Sequence, residues 1–183
     1  MQTKTKLQQK RITLKKITPT KNNASEFFKV VAQNREDLGT WLPWVDEMLT
    51  VEDALQNLLE TEKQTSEGYK KEYGIYLKNK LIGTVDAFNI RKPDKSLEIG
   101  YWISKEYRRK GYVREAIAIF EKELFKNFHR IQIKCDSENK NSIEFAKRCG
   151  YKLEGELRDA FFSKKFNSFR NNIIFSKLKT DTF

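Results

Sequence analysis

LEIGYWISKEYRRKGYVREA, residues 97–116, changes period in its middle. Its first half alternates, with Glu98, Gly100 and Trp102 on one face of an extended strand and Ile99, Tyr101 and Ile103 on the other. From Lys110 the apolar residues Val113, Ala116, Ile117, Phe120 and Leu124 recur at helical spacing. This helix is predicted to end near His129 and Arg130, where cations suit the C-terminal dipole. Between strand and helix lies the basic loop Arg108-Arg109-Lys110-Gly111. A strand that runs through a short loop straight into a helix gathers the free N–H groups of the helix start, those of Tyr112, Val113 and Arg114, at one point. That point attracts phosphate, and Gly111, lacking a Cβ, lets the backbone approach the anion closely or take positive φ. A solvated basic turn has the same composition, so the loop alone does not decide between the two readings.

Working outward, RITLKKIT (11–18) alternates like a half-buried strand, while residues 1–10 are polar and expected to be flexible. Asn23 and Ser25 are candidate caps for a helix carrying Phe27, Phe28, Val30 and Val31 to about Arg35. Thr50 with Asp53 reads as a capping box opening a second helix on Val51, Ala54, Leu55, Leu58 and Leu59. EYGIYLK, a turn at Asn79-Lys80 and KLIGTVDAFNI then read as a hairpin, followed by the strand SLEIGYWIS. After the helix come the strand RIQIKCD, a short helix from Asn139 to Cys149 stopped by Gly150, and two closing strands in YKLEGELRDA and FRNNIIFSKLK. The predicted order is β-α-α-β-β-β-α-β-α-β-β, a mixed α/β fold in one domain spanning 1–183 with one active site.

Hydrophobic residues at 38% exclude a disordered chain, despite 33% charged residues. No apolar run approaches the roughly 20 residues of a membrane span, and MQTKTKLQQK has no apolar signal core, so a cytoplasmic protein is expected. Cys135 and Cys149 are too few for a disulfide framework and lack metal-site spacing, so both are expected reduced and buried, with no metal bound. The net charge of +11 is spread along the chain without a basic stripe interleaved with aromatics, which argues against direct nucleic-acid binding. A membrane surface or an anionic cofactor is also compatible with such a charge, but its spread reads first as a solvated surface.

Arg108-x-x-Gly111-x-Val113 resembles the Gln/Arg-x-x-Gly-x-Gly/Ala pyrophosphate signature of the GNAT superfamily of N-acetyltransferases, with Val113 departing from the usual small residue. Asn139-x-x-Ser142, Gly150-Tyr151 and Glu154-Gly155-x-Leu157-Arg158 resemble the RimJ/RimL-type ribosomal-protein acetyltransferase subgroup. Asn34-Arg35-x-x-Leu38-x-x-Trp41-Leu42-Pro43-Trp44 matches the same subgroup, so the resemblance spans about Arg11 to Lys179.

The resemblance implies a GNAT fold in which strands Ser96–Ile103 and Arg130–Asp136 splay apart to admit acetyl-CoA. Backbone groups near Trp102 and Ile103 would pair with its pantetheine arm, residues 108–114 would hold its pyrophosphate, and Asn139 would hydrogen-bond the arm while also suiting a helix N-cap. Trp41 and Trp44 would wall the acceptor, though large aromatics also serve as packing anchors.

Acetyl transfer to an amine needs a base for the amine and a proton for the leaving thiolate. The superfamily's tyrosine position is occupied by Ala146. The subgroup's serine carries over onto Ser142, which is also readable as a cofactor hydrogen bond or a helix-surface serine. The subgroup's glutamate position is Phe161, which leaves Glu98, bordering both slot and acceptor, as the expected base. An acyl-Cys135 route is disfavoured because the single histidine, His129, lies at a predicted helix end. An α-amine, titrating near ~7.7–8.0 against ~10.4 for lysine, needs less help from a base. The three segments that resemble the subgroup imply the N-terminus of a ribosomal protein as the acceptor, and the acidity of an α-amine is consistent with it. The alternatives are a small amine, such as an antibiotic, polyamine or amino-acid conjugate, or a CoA-sensing or ribosome-binding module that has lost catalysis. A homodimer is compatible with the sequence.

Overall fold

The computed structural model describes residues 11–181. Seven strands form one sheet: β1 (Ile12–Lys15), β2 (Lys71–Leu77), β3 (Lys80–Arg91), β4 (Ser96–Ile103), β5 (Arg130–Asp136), β6 (Lys152–Ser163) and β7 (Ser168–Leu178). Their spatial order is β1-β2-β3-β4-β5-β7-β6. β4 and β5 are the one neighbouring pair that runs parallel among the described residues, and the helix α4 (Tyr112–Leu124) makes the crossover between them. The helices α1 (Lys21–Gln33), α2 (Arg35–Leu38), α3 (Val51–Ser66) and α5 (Lys140–Arg148) complete the fold. This is the expected mixed α/β order with one addition, the single turn α2.

The alternation of the strands feeds two cores. On one face Ile75, Val85, Leu97, Ile99, Ile131 and Ile133 pack against Ile117, Phe120 and Leu124 of α4 and Ala146 of α5. On the other, Tyr76, Leu81 and Trp102 pack under Phe27 and Val31 of α1 and Ala54 and Leu58 of α3. Among the described residues no helix is long and apolar enough to cross a membrane.

The Thr50–Asp53 capping box forms as read, with both reciprocal bonds present. Other boundaries shift. Helix α1 is capped by Thr20, which accepts the Asn23 N–H, so Asn23 falls in its first turn and Ser25 beyond that; the Asn23 side chain instead bonds back to Thr18. The hairpin turn is Lys78-Asn79, both at positive φ, one residue earlier than expected. Helix α4 stops at Leu124, short of His129–Arg130, because the His129 and Arg130 N–H groups both go to the Lys95 carbonyl and lead the chain into β5. Cys135 is buried, whereas Cys149 is only partly so.

The feature that positions the site is a gap. β4 pairs with β5 only through Ser96, Leu97 and Glu98. Beyond Glu98, β4 stays with β3 as far as Ile103, and β5 stays with β7 as far as Asp136. The two middle strands therefore part, leaving a slot that opens toward the loop before α4.

Candidate functional site

The cofactor side of the slot is built from backbone. The Ser104 N–H donates to the Ile82 carbonyl (2.8 Å), which fixes the alternation along β4. Tyr101 and Ile103 consequently turn their N–H and C=O groups to the slot. Trp102 turns its carbonyl to β3, where it approaches Gly83 so closely that a Cβ would clash. The expectation of backbone pairing thus fits Ile103 but not Trp102, whose indole also lies in the α1–α3 core.

The loop 108–111 carries two left-handed residues, Arg109 (φ 60°) and Gly111 (φ 82°), and Gly111 is the N-cap of α4. Such a turn points successive N–H groups into one concavity. Among the described residues no side chain caps α4, and its first backbone bond is Glu115 N–H to the Gly111 carbonyl, which leaves the Tyr112, Val113 and Arg114 amides available. Val113 directs its bulk into the apolar core beside α4 and keeps its amide. Arg11 crosses from the start of β1 to brace this point. Its guanidinium donates to Glu115 (3.0 Å) and to the Lys110 carbonyl (2.9 Å) and lies over the Tyr112 ring (4.8 Å). Arg108 does not face outward but forms a bidentate pair with Asp37 of α2. A slot lined by unpaired strand edges and ending on free helix amides fits a long thin ligand with phosphates at one end.

At the slot the α5 N-terminus supplies hydroxyl chemistry. Asn139 accepts the Ser142 N–H through its side-chain oxygen (3.1 Å), so it is an N-cap whose amide group remains to donate. The Ser142 hydroxyl is not on the helix surface. It lies 2.9 Å from the Tyr101 hydroxyl on β4, with the Cys135 thiol of β5 near enough to feel it, so it sits between the two parted strands. Burial pushes the Tyr101 phenol well up, and it pushes the Cys135 thiol up too, which keeps both protonated. His129 sits at the opposite end of β5, and a thiol without a base is a poor nucleophile.

The acceptor side is built from side chains on the other face. Glu98 is buried, and its Oε2 is held by Lys134 Nζ (3.0 Å) and Asn89 Nδ2 (3.2 Å). Next along that face come Gly100 and, beside it on β3, Asp86. Trp44 stacks on Phe27 (6.3 Å, 21° between planes) and meets Trp102 at 6.3 Å, so it is a packing anchor. Trp41 lies half-buried in the preceding turn. Phe161, at the position expected of a base, pairs across β6–β7 with Arg170. The segment carrying the tryptophans is tied to the cofactor loop by Asp37–Arg108 and by Asn34, whose Oδ1 accepts the Lys105 N–H (2.8 Å). Arg11, Asp37, Asp86 and Tyr101 are the residues that sequence reasoning missed. A glycine inside a strand, Gly100, was the signal that another group comes close.

Comparison with known proteins agrees with this geometry. The family described as acetyltransferase (GNAT) domain matches residues 11–152. The ribosomal-protein-serine acetyltransferase of Escherichia coli (strain K12) is 27% identical over 143 residues, covering 77% of this chain and 80% of that protein. The crystal structure of the microcin C7 self-immunity acetyltransferase MccE, in complex with acetyl-CoA and AMP, is 28% identical with a TM-score of 0.84, covering 92% of each chain. That of the ribosomal-protein-S5-alanine acetyltransferase from Vibrio fischeri is 26% identical with a TM-score of 0.82, covering 93% of this chain and 94% of the other. The family match begins at β1 and runs beyond the whole splayed region, and the chain belongs to the GNAT family of acetyltransferases.

Proposed function

We propose that this protein acts as a single domain in the cytoplasm and moves an acetyl group from acetyl-CoA to a primary amine, the α-amine at the N-terminus of a ribosomal protein. The observation that carries this reading is the slot that opens at Glu98 and ends on the uncapped start of α4. The backbone of Tyr101 and Ile103 pairs with the pantetheine arm, and the Asn139 amide group donates to it. The amides of Gly111, Tyr112, Val113 and Arg114 take the pyrophosphate, with Arg109 and Lys110 supplying positive charge. Arg108 acts by holding the loop against Asp37.

In the transfer the amine nitrogen bonds to the thioester carbonyl carbon, and the C–S bond breaks with its electron pair on sulfur. Ser142 gives that sulfur a proton and recovers one from the amine nitrogen, while Tyr101 holds the serine hydroxyl by its hydrogen bond. A serine hydroxyl is too weak an acid to ionise by itself, so its proton leaves for sulfur as the amine's proton arrives, and Tyr101 orients it for that exchange. Trp41 and Trp44 border the entrance taken by the acceptor. The similarity to ribosomal-protein acetyltransferases of Escherichia coli and Vibrio fischeri supports an N-terminal serine or alanine as the acceptor.

A second reading, a small amine as acceptor, is favoured by the similarity to the microcin immunity acetyltransferase and by the absence of the subgroup's acid at Phe161. Thiol release from acetyl-CoA separates the two. Peptides beginning with serine or alanine are expected to turn over, and the same peptides with a blocked α-amine are not. Turnover of spermidine or aminoacyl conjugates without any of the peptides would overturn the first choice.

A further inference from the structure

Glu98 was the carboxylate expected to act as base, and its surroundings argue for a neighbour instead. Its Oε2 is occupied by the Lys134 ammonium and the Asn89 amide. Asp86 stands one position further along the same face. On β3 it is in register with Gly100 of β4 on one side and Glu72 of β2 on the other. Because β4 leaves β5 after Glu98, Gly100 is the first residue of that face to border the open slot.

The contact between the two explains the glycine. A Cβ built on Gly100 would sit 2.6 Å from Asp86 Oδ1 and 3.3 Å from Phe88 Cε1. The carboxylate therefore leans across β4 into the space that any other side chain would fill, toward the end of the slot away from the phosphate loop. Lys70 is the cation within ion-pair reach of it, and its close partner is Glu72 (2.6 Å), with Asp86 at 3.8 Å. One-fifth of the Asp86 side chain remains open to solvent, enough for a ligand to reach it.

We infer that Asp86 is the general base of the reaction, receiving a proton from the acceptor's ammonium where the amine meets the thioester. The inference rests on the acetyl-transfer reading. The ammonium loses two protons in becoming an amide: one goes to the Asp86 carboxylate, and the other accompanies the thiolate's departure by way of Ser142. The charged groups facing Asp86 are Glu72 and Lys70 at β2 and Glu98 on β4, with Lys134 of β5 behind Glu98. Burial first, then the Glu72 carboxylate, push Asp86 up to about 7 against the opposing pull of Lys70. That is within about one unit of an α-ammonium, a good match for proton transfer near neutral pH.

The test compares Asp86→Asn, Asp86→Glu and Glu98→Gln with the wild type in acetyl-CoA titration calorimetry, melting temperature and kcat/KM against pH. The probe is a serine-initiated peptide, with spermidine in a parallel series. Wild-type kcat/KM is expected to fall as pH drops through about 7, the range in which Asp86 becomes protonated. Asp86→Asn should bind acetyl-CoA within about twofold of wild type, lose on the order of 100- to 1000-fold in kcat/KM and have its acid limb moved up to the acceptor amine's own titration near ~7.7–8.0. Its melting temperature at pH 8 should equal or exceed the wild type's. The folded protein holds the Asp86 proton more tightly than the unfolded chain, so that stability is lost as pH rises from 3.8 through about 7, and asparagine removes the loss. Asp86→Glu keeps a carboxylate and should keep the acid limb at a lower rate. Asp86→Asn with kcat/KM within threefold and the limb unmoved from about 7 would overturn the assignment, as would Glu98→Gln moving the limb in its place. A wild type that binds no acetyl-CoA at millimolar concentration would instead overturn the acetyl-transfer reading itself.

Discussion

The two sides of the slot are made of different materials. On the α4–α5 side the groups offered to a ligand are mostly backbone: the strand edges of Tyr101 and Ile103, and the amides at the start of α4. On the α1–α3 side they are side chains from β3, β4 and β5 together with the segment between α1 and α3. A backbone site follows from one contiguous stretch, since any strand–loop–helix with a left-handed glycine presents the same amides. A side-chain site follows from register, and it can be rebuilt for a new acceptor without disturbing the cofactor grip. This difference explains how a shared fold serves proteins as unlike as a ribosomal-protein-serine acetyltransferase and a microcin self-immunity acetyltransferase.

The comparison breaks most visibly at Gly111. Valine there must hold φ near 82°, costing roughly 1–2 kcal/mol, and would crowd the guanidinium of Arg11, which lies 3.2 Å from the Cβ position. Together with the lost close approach, acetyl-CoA affinity should fall about 100-fold by calorimetry. The pH profile set on the other side should be unchanged. A shifted profile would mean that the two sides are not separable.

A smaller effect is expected at the bridge between the strands. Tyr101→Phe and Ser142→Ala should each lower kcat on the order of tenfold, and the double variant little more than either, because both break the same hydrogen-bonded pair. Fully additive losses in steady-state kinetics would place the two hydroxyls in separate roles.

The smallest effect belongs to the tie between the sides. Arg108 and Asp37 are each about one-third exposed, so a double-mutant cycle with Asp37→Asn and Arg108→Met should give a coupling of roughly 0.5–1 kcal/mol in thermal stability. Acceptor KM should rise with the single changes, since Asp37 anchors the turn that precedes Trp41 and Trp44. A coupling near zero would show that the acceptor segment is held by Asn34 and packing alone.

What was legible in the sequence follows the same division. The strand, loop and helix of residues 97–116 and the strand Arg130–Asp136 announce themselves by period, and the Thr50–Asp53 box and the Asn139 cap by local side-chain bonding. Local rules failed where two neighbours compete, as when Thr20 takes the cap that Asn23 and Ser25 also suit. The end of α4 is decided by Lys95, which lies about 30 residues upstream and is no part of the helix. Alternation placed Glu98, Gly100 and Trp102 together, but Asp86 reads in the sequence as one more polar residue on a half-buried strand. Only the pairing of β3 with β4 sets it over a glycine. Tyr101 was likewise assigned to a face without its partner, because Ser142 lies 41 residues away on another element.

The central claim is tested most directly by intact-mass spectrometry of ribosomal proteins incubated with the enzyme and acetyl-CoA. The account predicts that a ribosomal protein gains one acetyl group at its amino terminus, that the gain requires acetyl-CoA, and that Asp86→Asn suppresses it while still binding the cofactor. Unchanged masses across all ribosomal proteins, under conditions in which the same enzyme acetylates small amines, would contradict it.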